Sequence, residues 1–390
     1  MKNEIIPEYG WLSVNHIGEQ LCGDNVAVVE PDSKTQVLVL ADGMGSGVKA
    51  NILSTLTATM MSTLLANNVD FDDCVSTILS TLPECKVREA NYCTFTAIRV
   101  SEGRYVHIYN YDNPEPFLLH NGKSEPLYFT RSEISGKMID QCSFEAELND
   151  CVVMMSDGCI HAGAGVTLNY GWELPQIMNF MQANYRPDAS AKALATMLVD
   201  RCDNLYENKP GDDTTCAVVR IRERKKANVM FGPPANPADD EKAASRFFGG
   251  EGTHIVCGGT TAKVAAKYLG KEVLPDSVNM DETIPPMSII DGVDLVTEGL
   301  ITLRRVLEYA EDYLGRNSRY FDWSCSLDGA SLIACALFEE ATDIHFYVGC
   351  AINPAHQDEE AVGYKLKMKV VEELAGRLKE MNKKVKVTYF

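Results

Sequence analysis

The sequence lacks an excess of positive charge. Its 390 residues include 36 Lys and Arg against 55 Asp and Glu, so the formal net charge is −19. A chain this acidic is repelled by phosphate backbones unless a basic stripe overrides the field. The densest basic run, residues 222–226, is short and contains Glu223. We therefore expect no nucleic-acid partner.

Long apolar runs and paired cysteines are also missing. No window approaches the roughly 18 consecutive apolar residues of a membrane-spanning helix, and the first residues lack the charged start and apolar stretch of a secretory signal. The thirteen cysteines lie singly, with no CxxC pair and no Cys/His spacing typical of zinc sites. These features predict no membrane association and a reducing, cytoplasmic setting.

The remaining composition is that of a globular protein, with 45% hydrophobic and 23% charged residues. At about 150 residues per domain the length predicts two or three domains. Residues 223–245 are charged and rich in proline, which predicts a linker between an N-terminal domain, 1–222, and a C-terminal domain, 246–390.

The N-terminal domain alternates short strands with helices gathered in two pairs. Residues 26–30 and 36–41 are typical of strands, apolar residues recur at helical spacing over 48–67, and a second helix is predicted over 73–89. This order favours an α+β class with helices packed on sheet faces. The C-terminal domain is predicted to be a smaller α/β layer domain.

Carboxylates recur in the N-terminal domain where apolar strands end beside glycine. They lie in Gly23-Asp24-Asn25, in ADGMGSG with Asp42, in VVMMSDG with Asp157, and in GDDTT with Asp212 and Asp213. Each motif alone is typical of a simple turn. If they converge, two unit charges about 5 Å apart repel by about 3 kcal/mol at an effective dielectric near 20, so the cluster needs a cation.

Oxygen ligands of this kind select Mg²⁺ or Mn²⁺. Two such ions about 3.5–4 Å apart lower the pKa of a shared water and clamp a phosphoryl oxygen. That chemistry suits hydrolysis of a phosphate monoester, whose uncatalysed reaction is among the slowest known.

The ordered motifs closely resemble those of metal-dependent serine/threonine protein phosphatases of the 2C type, especially the bacterial sporulation stage II branch. The resemblance covers about residues 10–222 and includes CTFTAIRV at 93–100 and NPEPFLL at 113–119. It implies a four-layer αββα sandwich, Mn²⁺ or Mg²⁺ bound as two ions, and a phosphoserine or phosphothreonine substrate in a phosphoprotein. It also implies a bacterial signalling role.

The same resemblance implies a role for each motif residue. Asp42 would bridge the two metals, the Gly43 carbonyl would bind one of them, and Asp157 and Asp212 would complete the other. Asp24 would ligate a metal or hold a metal-bound water. Asp213 stands where the family often has Asn.

Two departures from the family pattern affect the number of metals. Many eukaryotic members have Glu before the first Asp and a nearby Arg that grips the phosphate. Here Gly23 precedes Asp24, and no Arg lies between Met1 and Asp24. The sporulation-type branch shares the Gly-Asp form, so the departure bears on metal count more than on activity.

The C-terminal domain carries a second kind of motif. An apolar strand at 254–257 leads into Gly258 and Gly259 and then a helix, which would present free N–H groups to an anion. An ordinary strand-to-helix turn is the alternative. His356 in NPAHQDEE would face the crevice at the sheet's carboxyl edge, or lie in a solvated loop. We expect this domain to regulate or recruit, with the glycine turn binding a small anion or a partner's acidic group.

Three functions remain open at this point. The first is a metal-dependent protein serine/threonine phosphatase. The second is a catalytically weak phosphatase fold that senses or sequesters a partner, which the Gly23 departure and the large second domain favour. The third is a hydrolase of a small phosphorylated metabolite.

Overall fold

The computed structural model describes residues 4–32, 34–81, 93–276, 285–351 and 357–390. The chain divides into two compact units, Met1–Glu223 and Arg224–Phe390. Both units combine helices with sheets, and each is described by itself below.

The first sheet of unit 1 has five described strands, all antiparallel to their neighbours. In spatial order they are β1 (Ile5–Val14), β11 (Thr214–Glu223), β10 (Cys151–Met155), β6 (Phe117–His120) and β7 (Lys123–Pro126). The first described strand of the unit therefore pairs with its last.

The second sheet of unit 1 has six described strands and is also antiparallel. Their spatial order is β2 (Asp24–Val29), β3 (Thr35–Asp42), β4 (Thr94–Ser101), β5 (Tyr105–Tyr111), β9 (Lys137–Glu145) and β8 (Thr130–Ile134). Strands β2 and β3 confirm the two strands predicted over 26–30 and 36–41.

The two sheets pack face to face through alternate side chains. Leu38 and Leu40 of β3 share one apolar core with Met154 of β10 and Val219 of β11. Because side chains alternate between the faces of a strand, the intervening residues of β3 point to the outer side of the sheet.

Helices cover both outer faces. Over the six-stranded sheet lie α1 (Gly47–Ala66) and α2 (Phe71–Thr81), whose apolar side chains pack on Val37 and Val39. The short α3 (Asp157–Ile160) follows β10, while α4 (Leu174–Asn184) contacts β7 and α5 (Ala191–Leu205) contacts β1 and β11. The resulting four layers confirm the α+β class and the αββα sandwich. Residues 82–89, predicted to continue α2, lie outside the described residues.

Unit 2 is built on one mixed sheet of seven described strands. In spatial order they are β14 (Leu274–Pro275), β15 (Ser288–Ile289), β16 (Leu295–Thr297), β13 (Thr253–Cys257), β12 (Lys226–Phe231), β17 (Asp343–Val348) and β18 (Lys384–Tyr389). The last five are parallel, and their order along the chain is 3-2-1-4-5, which is that of a doubly wound α/β domain.

The helices of unit 2 divide between the two faces of this sheet. The first two, α6 (Asp240–Phe248) and α7 (Gly259–Leu269), contact each other and share an apolar cluster with β12 and β13. Next come α8 (Leu300–Leu314), α9 (Tyr320–Ser324), α10 (Gly329–Ala334) and α11 (Gln357–Glu380), of which α8 contacts both α10 and α11. A 3₁₀ turn at Pro237–Asp239 precedes α6, and a π-helical segment at Cys335–Glu340 follows α10.

The structure corrects the prediction of a linker over 223–245. That stretch contains β12, a central strand of the unit 2 sheet, and the first part of α6. Val229 is fully buried because a central parallel strand is covered on both faces. The short apolar run of β12 lies between lysines and prolines, and the charged, proline-rich composition around it suggested a linker.

No helix in the described ranges combines the length and apolarity needed to span a bilayer.

Candidate metal centre

Asp24 and Asp42 face each other across the first hairpin of the six-stranded sheet. Asp24 is the first residue of β2 and Asp42 the last of β3, and the antiparallel register pairs them directly. Directly opposed residues have Cβ atoms about 4.5–5.5 Å apart. Two carboxylates 18 positions apart in the sequence are therefore neighbours at one edge of this sheet.

Asp157, Asp212 and Asp213 lie at one edge of the other sheet. Asp157 comes two residues after β10 ends, and the pair 212–213 immediately precedes β11. The two strands are antiparallel neighbours, and the Ser156 N–H donates to the Thr215 carbonyl at 2.9 Å just beyond the end of β10. This pairing places both acidic segments side by side.

A serine hydroxyl joins the two edges. Ser156 Oγ donates to Asp24 Oδ2 at 2.7 Å and accepts from the Thr215 N–H at 2.9 Å. The hydroxyl thus fixes the Asp24 carboxylate of one sheet against strand β11 of the other.

The proximity of the carboxylates appears in their pKa values. Burial, followed by the charges of Asp24, Asp157 and Asp212, raises the pKa of Asp42 well above its usual range. Burial also raises the pKa of Asp24, although hydrogen bonds from Ser156 and Thr215 oppose that shift. The pKa of Asp212 is raised by burial and then by Asp157. The structure thus brings together four predicted site residues from two sheets.

Two buried carboxylate oxygens at this edge have no hydrogen-bond donor. Asp213 is 2% exposed; its Oδ1 accepts the His16 N–H at 2.9 Å, but its Oδ2 has no partner. Asp24 is 3% exposed and its Oδ1 is also unpartnered. A buried acceptor without a donor is costly, and a bound cation would relieve that cost.

The donor chemistry suits a hard divalent ion, since every candidate ligand is an oxygen atom. Among the described residues, however, no three His, Cys, Asp or Glu side chains already converge as a ligand shell. The fit to Mg²⁺ or Mn²⁺ therefore lies in the type and charge of the donors. Their metal-binding role stays a prediction.

Gly43 lies where the chain passes from β3 to α1. Its N–H donates to the Gly23 carbonyl at 3.2 Å, and a Cβ at this position would lie 2.2 Å from the Ala50 carbonyl oxygen. Only glycine allows the backbone to approach α1 this closely. The predicted ligand, the Gly43 carbonyl, is thus held beside Asp42.

Sequence reasoning missed two residues that position these carboxylates. Ser156 stood in the quoted SDG motif, and its place at the end of a strand was the available signal. His16 gave no signal because it contacts Asp213 through its backbone N–H, a contact that any residue except proline can make.

A buried polar network supports the NPEPFLL segment beside β4. Thr94 Oγ1 donates to Asn113 Oδ1 at 2.5 Å, and Asn110 Nδ2 donates to the Asn113 carbonyl at 2.9 Å. Thr94 is paired with Asp42 in the β3–β4 register. This network fixes the start of the segment next to the carboxylate edge.

These features define unit 1 as a domain of the 2C-type phosphatase fold. Residues 32–222 match the family model described as Stage II sporulation protein E (SpoIIE). The resemblance of the motifs is thereby confirmed: this part of the chain matches the SpoIIE-type family of 2C phosphatase domains. The sequence has no significant match among curated proteins.

Several solved structures are similar to this chain at low identity. One is the phosphatase domain with a fragment of the regulatory domain of SpoIIE from Bacillus subtilis, with 19% identity and a TM-score of 0.49, covering 57% of this chain and 64% of that one. This chain thus spans less than two thirds of it. Another contains the RsbU and RsbW domains of a Mycobacterium tuberculosis protein, with 15% identity, a TM-score of 0.47 and coverage of 63% and 67%. A third is a serine/threonine phosphatase of S. agalactiae, with 15% identity, a TM-score of 0.40 and coverage of 55% and 98%.

Proposed function

We propose that the chain is a metal-dependent protein serine/threonine phosphatase. The observation that supports this function is the proximity of Asp24, Asp42, Asp157 and Asp212 at the edges of two sheets, where burial and then the charges of the other three raise the pKa of Asp42. The residues that would hold two Mn²⁺ or Mg²⁺ ions are Asp24, Asp42, the Gly43 carbonyl, Asp157, Asp212 and Asp213. Bound ions of this kind supply a water of lowered pKa and stabilise charge on a phosphoryl group.

The chain's own residues hold these ligands in place. Ser156 orients the Asp24 carboxylate by donating to Oδ2, which leaves the buried Oδ1 without a hydrogen-bond partner. The His16 N–H holds Asp213 through Oδ1 in the same manner and leaves Oδ2 available. Such outer contacts fix the ligand orientation before an ion arrives.

The surroundings of the site favour a protein substrate over a small metabolite. Ile17 and Leu21 lie in the segment between His16 and Asp24, and Met44 and Val48 follow Gly43; these side chains are 51%, 44%, 43% and 61% exposed. Exposed apolar residues next to a polar site are typical of protein recognition surfaces. A phosphoserine or phosphothreonine within a polypeptide is therefore the proposed substrate.

Turnover by the full chain with Mn²⁺ tests the proposal. We expect hydrolysis of a serine- or threonine-phosphorylated peptide that is lost in Asp42→Ala and in Asp157→Ala. Asp72→Ala, on the exposed side of α2, is the matched control and keeps full activity. Turnover that survives Asp42→Ala would show that another site carries the chemistry, and a strong preference for small phosphate esters would favour the metabolite hydrolase.

A binding module is the second candidate because no ligand shell is preassembled in the described residues. Such a module would bind a partner without turnover even at millimolar Mn²⁺. Calorimetric titration of Mn²⁺ beside the turnover assay separates the two functions, since the module predicts weak or absent metal binding and an enzyme predicts both binding and turnover.

The second unit and the cellular setting complete the proposal. We propose that unit 2 regulates the phosphatase or recruits a partner to it, in a bacterial signalling role.

The twelve cysteines within the described residues are all free, which supports a reducing compartment such as the cytoplasm. The Gly258–Gly259 turn remains a candidate anion site, with Gly258 at a φ of 106° before α7. His356 lies outside the described residues.

A further inference from the structure

Unit 2 contains an open cleft of about 650 Å³ at the amino ends of β12, β17 and β18. Its polar lining includes Lys226, Asn228, His345, Lys384 and Lys386, and the chain after α6, from Gly249 to Glu251, forms one side. The Gly258–Gly259 turn follows the carboxyl end of β13, so it belongs to the opposite edge of the sheet.

The strand order explains why this cleft is open. The chain moves from β12 to β13 and then to β16 in one direction, and α6 and α7 cover the face it crosses. From β16 to β17 and on to β18 it moves in the other direction. Since such crossovers are right-handed, α8 and α11 lie on the second face. Within the described residues α6 reaches the first face of β17 toward its carboxyl end, where Phe247 contacts Tyr347, and the amino ends of β17 and β18 line the open cleft.

The register places polar side chains on this uncovered face. Met230 packs with α6 and α7, so Asn228, two residues earlier, points to the same side. Asn228 is paired with His345, and His345 with Lys386. Two residues earlier on both strands, Asp343 is paired with Lys384. The face thus carries two lysines of β18 in adjacent rows.

These two lysines are not neutralised. Asp343 already accepts two hydrogen bonds from Arg224, at 2.7 and 2.9 Å. Glu251 pairs with Lys226 at 2.9 Å. Neither Lys384 nor Lys386 has an acidic partner among the described residues. Two unpaired positive charges thus share a concave surface of a chain whose net charge is −19.

His345 adds a hydrogen-bonding group between the lysines and Asn228. Its Nε2 lies 2.8 Å from Thr388 Oγ1, and its ring lies 4.0 Å from the Tyr347 ring, centroid to centroid. Burial, followed by the charge of Lys386, lowers the pKa of His345. The imidazole is therefore neutral at pH 7, and the positive charge of the cleft comes from the lysines.

We propose that this cleft binds a small molecule that carries a diphosphate group. Residues two apart on a strand are about 6.6 Å apart, so the flexible ammonium groups of Lys384 and Lys386 can reach neighbouring phosphates. The volume lies within the roughly 300–1,000 Å³ range of small-molecule sites and accommodates a nucleoside diphosphate. The second unit would then couple the phosphatase to the level of a phosphorylated metabolite.

Calorimetric titration of the full chain with ADP, and separately with inorganic pyrophosphate, tests the proposal. EDTA removes divalent ions, so binding through the unit 1 carboxylates is suppressed. We expect saturable binding of at least one probe at physiological salt, weakened about tenfold or more in Lys384→Gln/Lys386→Gln because charge-assisted contacts to phosphate are lost. Lys263→Gln, an exposed lysine on α7, is the matched control and binds as the parent does.

Two further variants locate the binding. Asp42→Asn keeps the affinity if the ligand occupies unit 2, and Gly259→Val keeps it if the cleft rather than the α7 turn is the site. The proposal is overturned if neither probe binds at millimolar concentration, if the double lysine variant binds normally, or if only Gly259→Val abolishes binding. If the double lysine variant binds normally, the two lysines would serve only to protect the edge strand β18 from pairing with another chain. If the double variant does not fold, we expect Lys386→Gln alone to bind the probe severalfold more weakly than the parent.

Discussion

The carboxylate of Asp213 occupies the space that a side chain at position 23 would need. A Cβ at Gly23 would lie 2.7 Å from Asp213 Oδ2 and 3.0 Å from the Ala50 Cβ. The glycine that departs from the eukaryotic pattern is therefore matched by an acidic residue at 213, buried directly beside it. This packing makes Gly23 a requirement of the carboxylate edge in this chain.

Gly23→Ala should displace the Asp213 carboxylate, which the His16 N–H holds at Oδ1, and the start of β2, because the new Cβ would lie 2.7 Å from Asp213 Oδ2 and 3.0 Å from the Ala50 Cβ. We expect destabilisation by about 1–3 kcal/mol, as for other overpacked sites, and a loss of Mn²⁺-dependent turnover. Urea unfolding and phosphopeptide hydrolysis measure the two effects.

Gly376→Ala provides the matched control for this substitution. Gly376 lies within α11, and a Cβ there meets no atom within 4 Å. This change should stabilise the chain by about 0.5–1 kcal/mol through helix propensity. Full turnover in Gly23→Ala would contradict the proposed role of the Gly23–Asp213 contact.

Ser156→Ala removes the hydroxyl that joins Asp24 to the Thr215 N–H. Loss of an outer contact of this type lowers metal affinity or activity by about 10–100-fold. We expect a higher Mn²⁺ requirement with a smaller change at saturating metal, measured as turnover against Mn²⁺ concentration. The control Ser132→Ala, on β8, should leave the dependence of turnover on Mn²⁺ concentration unchanged. An unchanged dependence in Ser156→Ala would show that Asp24 does not need the hydrogen bond from Ser156.

Much of unit 1 was predictable because its signals are local. The helical spacing over residues 48–67 gave α1, observed at Gly47–Ala66. The strand-end position of each acidic motif placed all the carboxylates at sheet edges. Which carboxylates meet is decided by strand register, as with Asp24 and Asp42, and only the motif resemblance gave that information in advance.

Unit 2 was less predictable because its central strand is short. β12 has six residues and is buried on both faces, so it lacks the alternation that marks a half-buried strand. Without β12 the doubly wound order could not be derived. The cleft followed from that order and from the pairing of β17 with β18, which link residues more than thirty positions apart.

The pH dependence of the metal-free protein should reveal the repulsion among the carboxylates. Burial raises the pKa of Asp24 to about 7, and burial with three carboxylate neighbours raises that of Asp42 further. A carboxyl whose pKa is raised by folding stabilises the fold fully below its unfolded pKa of about 3.9, and this contribution is lost as pH rises through the folded pKa.

With EDTA present, these two groups should therefore make unfolding easier as pH rises from about 4 through 7. Asp42→Asn removes one of these charges and should flatten the dependence, while Asp72→Asn on the exposed side of α2 should not. The midpoint of urea unfolding at several pH values is the measurement. If the unfolding midpoint of Asp42→Asn depends on pH as that of the parent does, the carboxylates do not interact in the folded chain.

The position of β12 predicts where the second unit can be separated from the first. β12 pairs with both β13 and β17, and its Val229 and Phe231 are 0% and 4% exposed. A fragment of residues 224–390 should therefore unfold cooperatively in urea, whereas residues 246–390 would lack the strand that joins the two halves of the sheet and leave both flanking strands with an open edge. Urea unfolding of the two fragments, followed by circular dichroism, tests this prediction. If the shorter fragment unfolds cooperatively at the same midpoint, residues 223–245 would act as a linker after all.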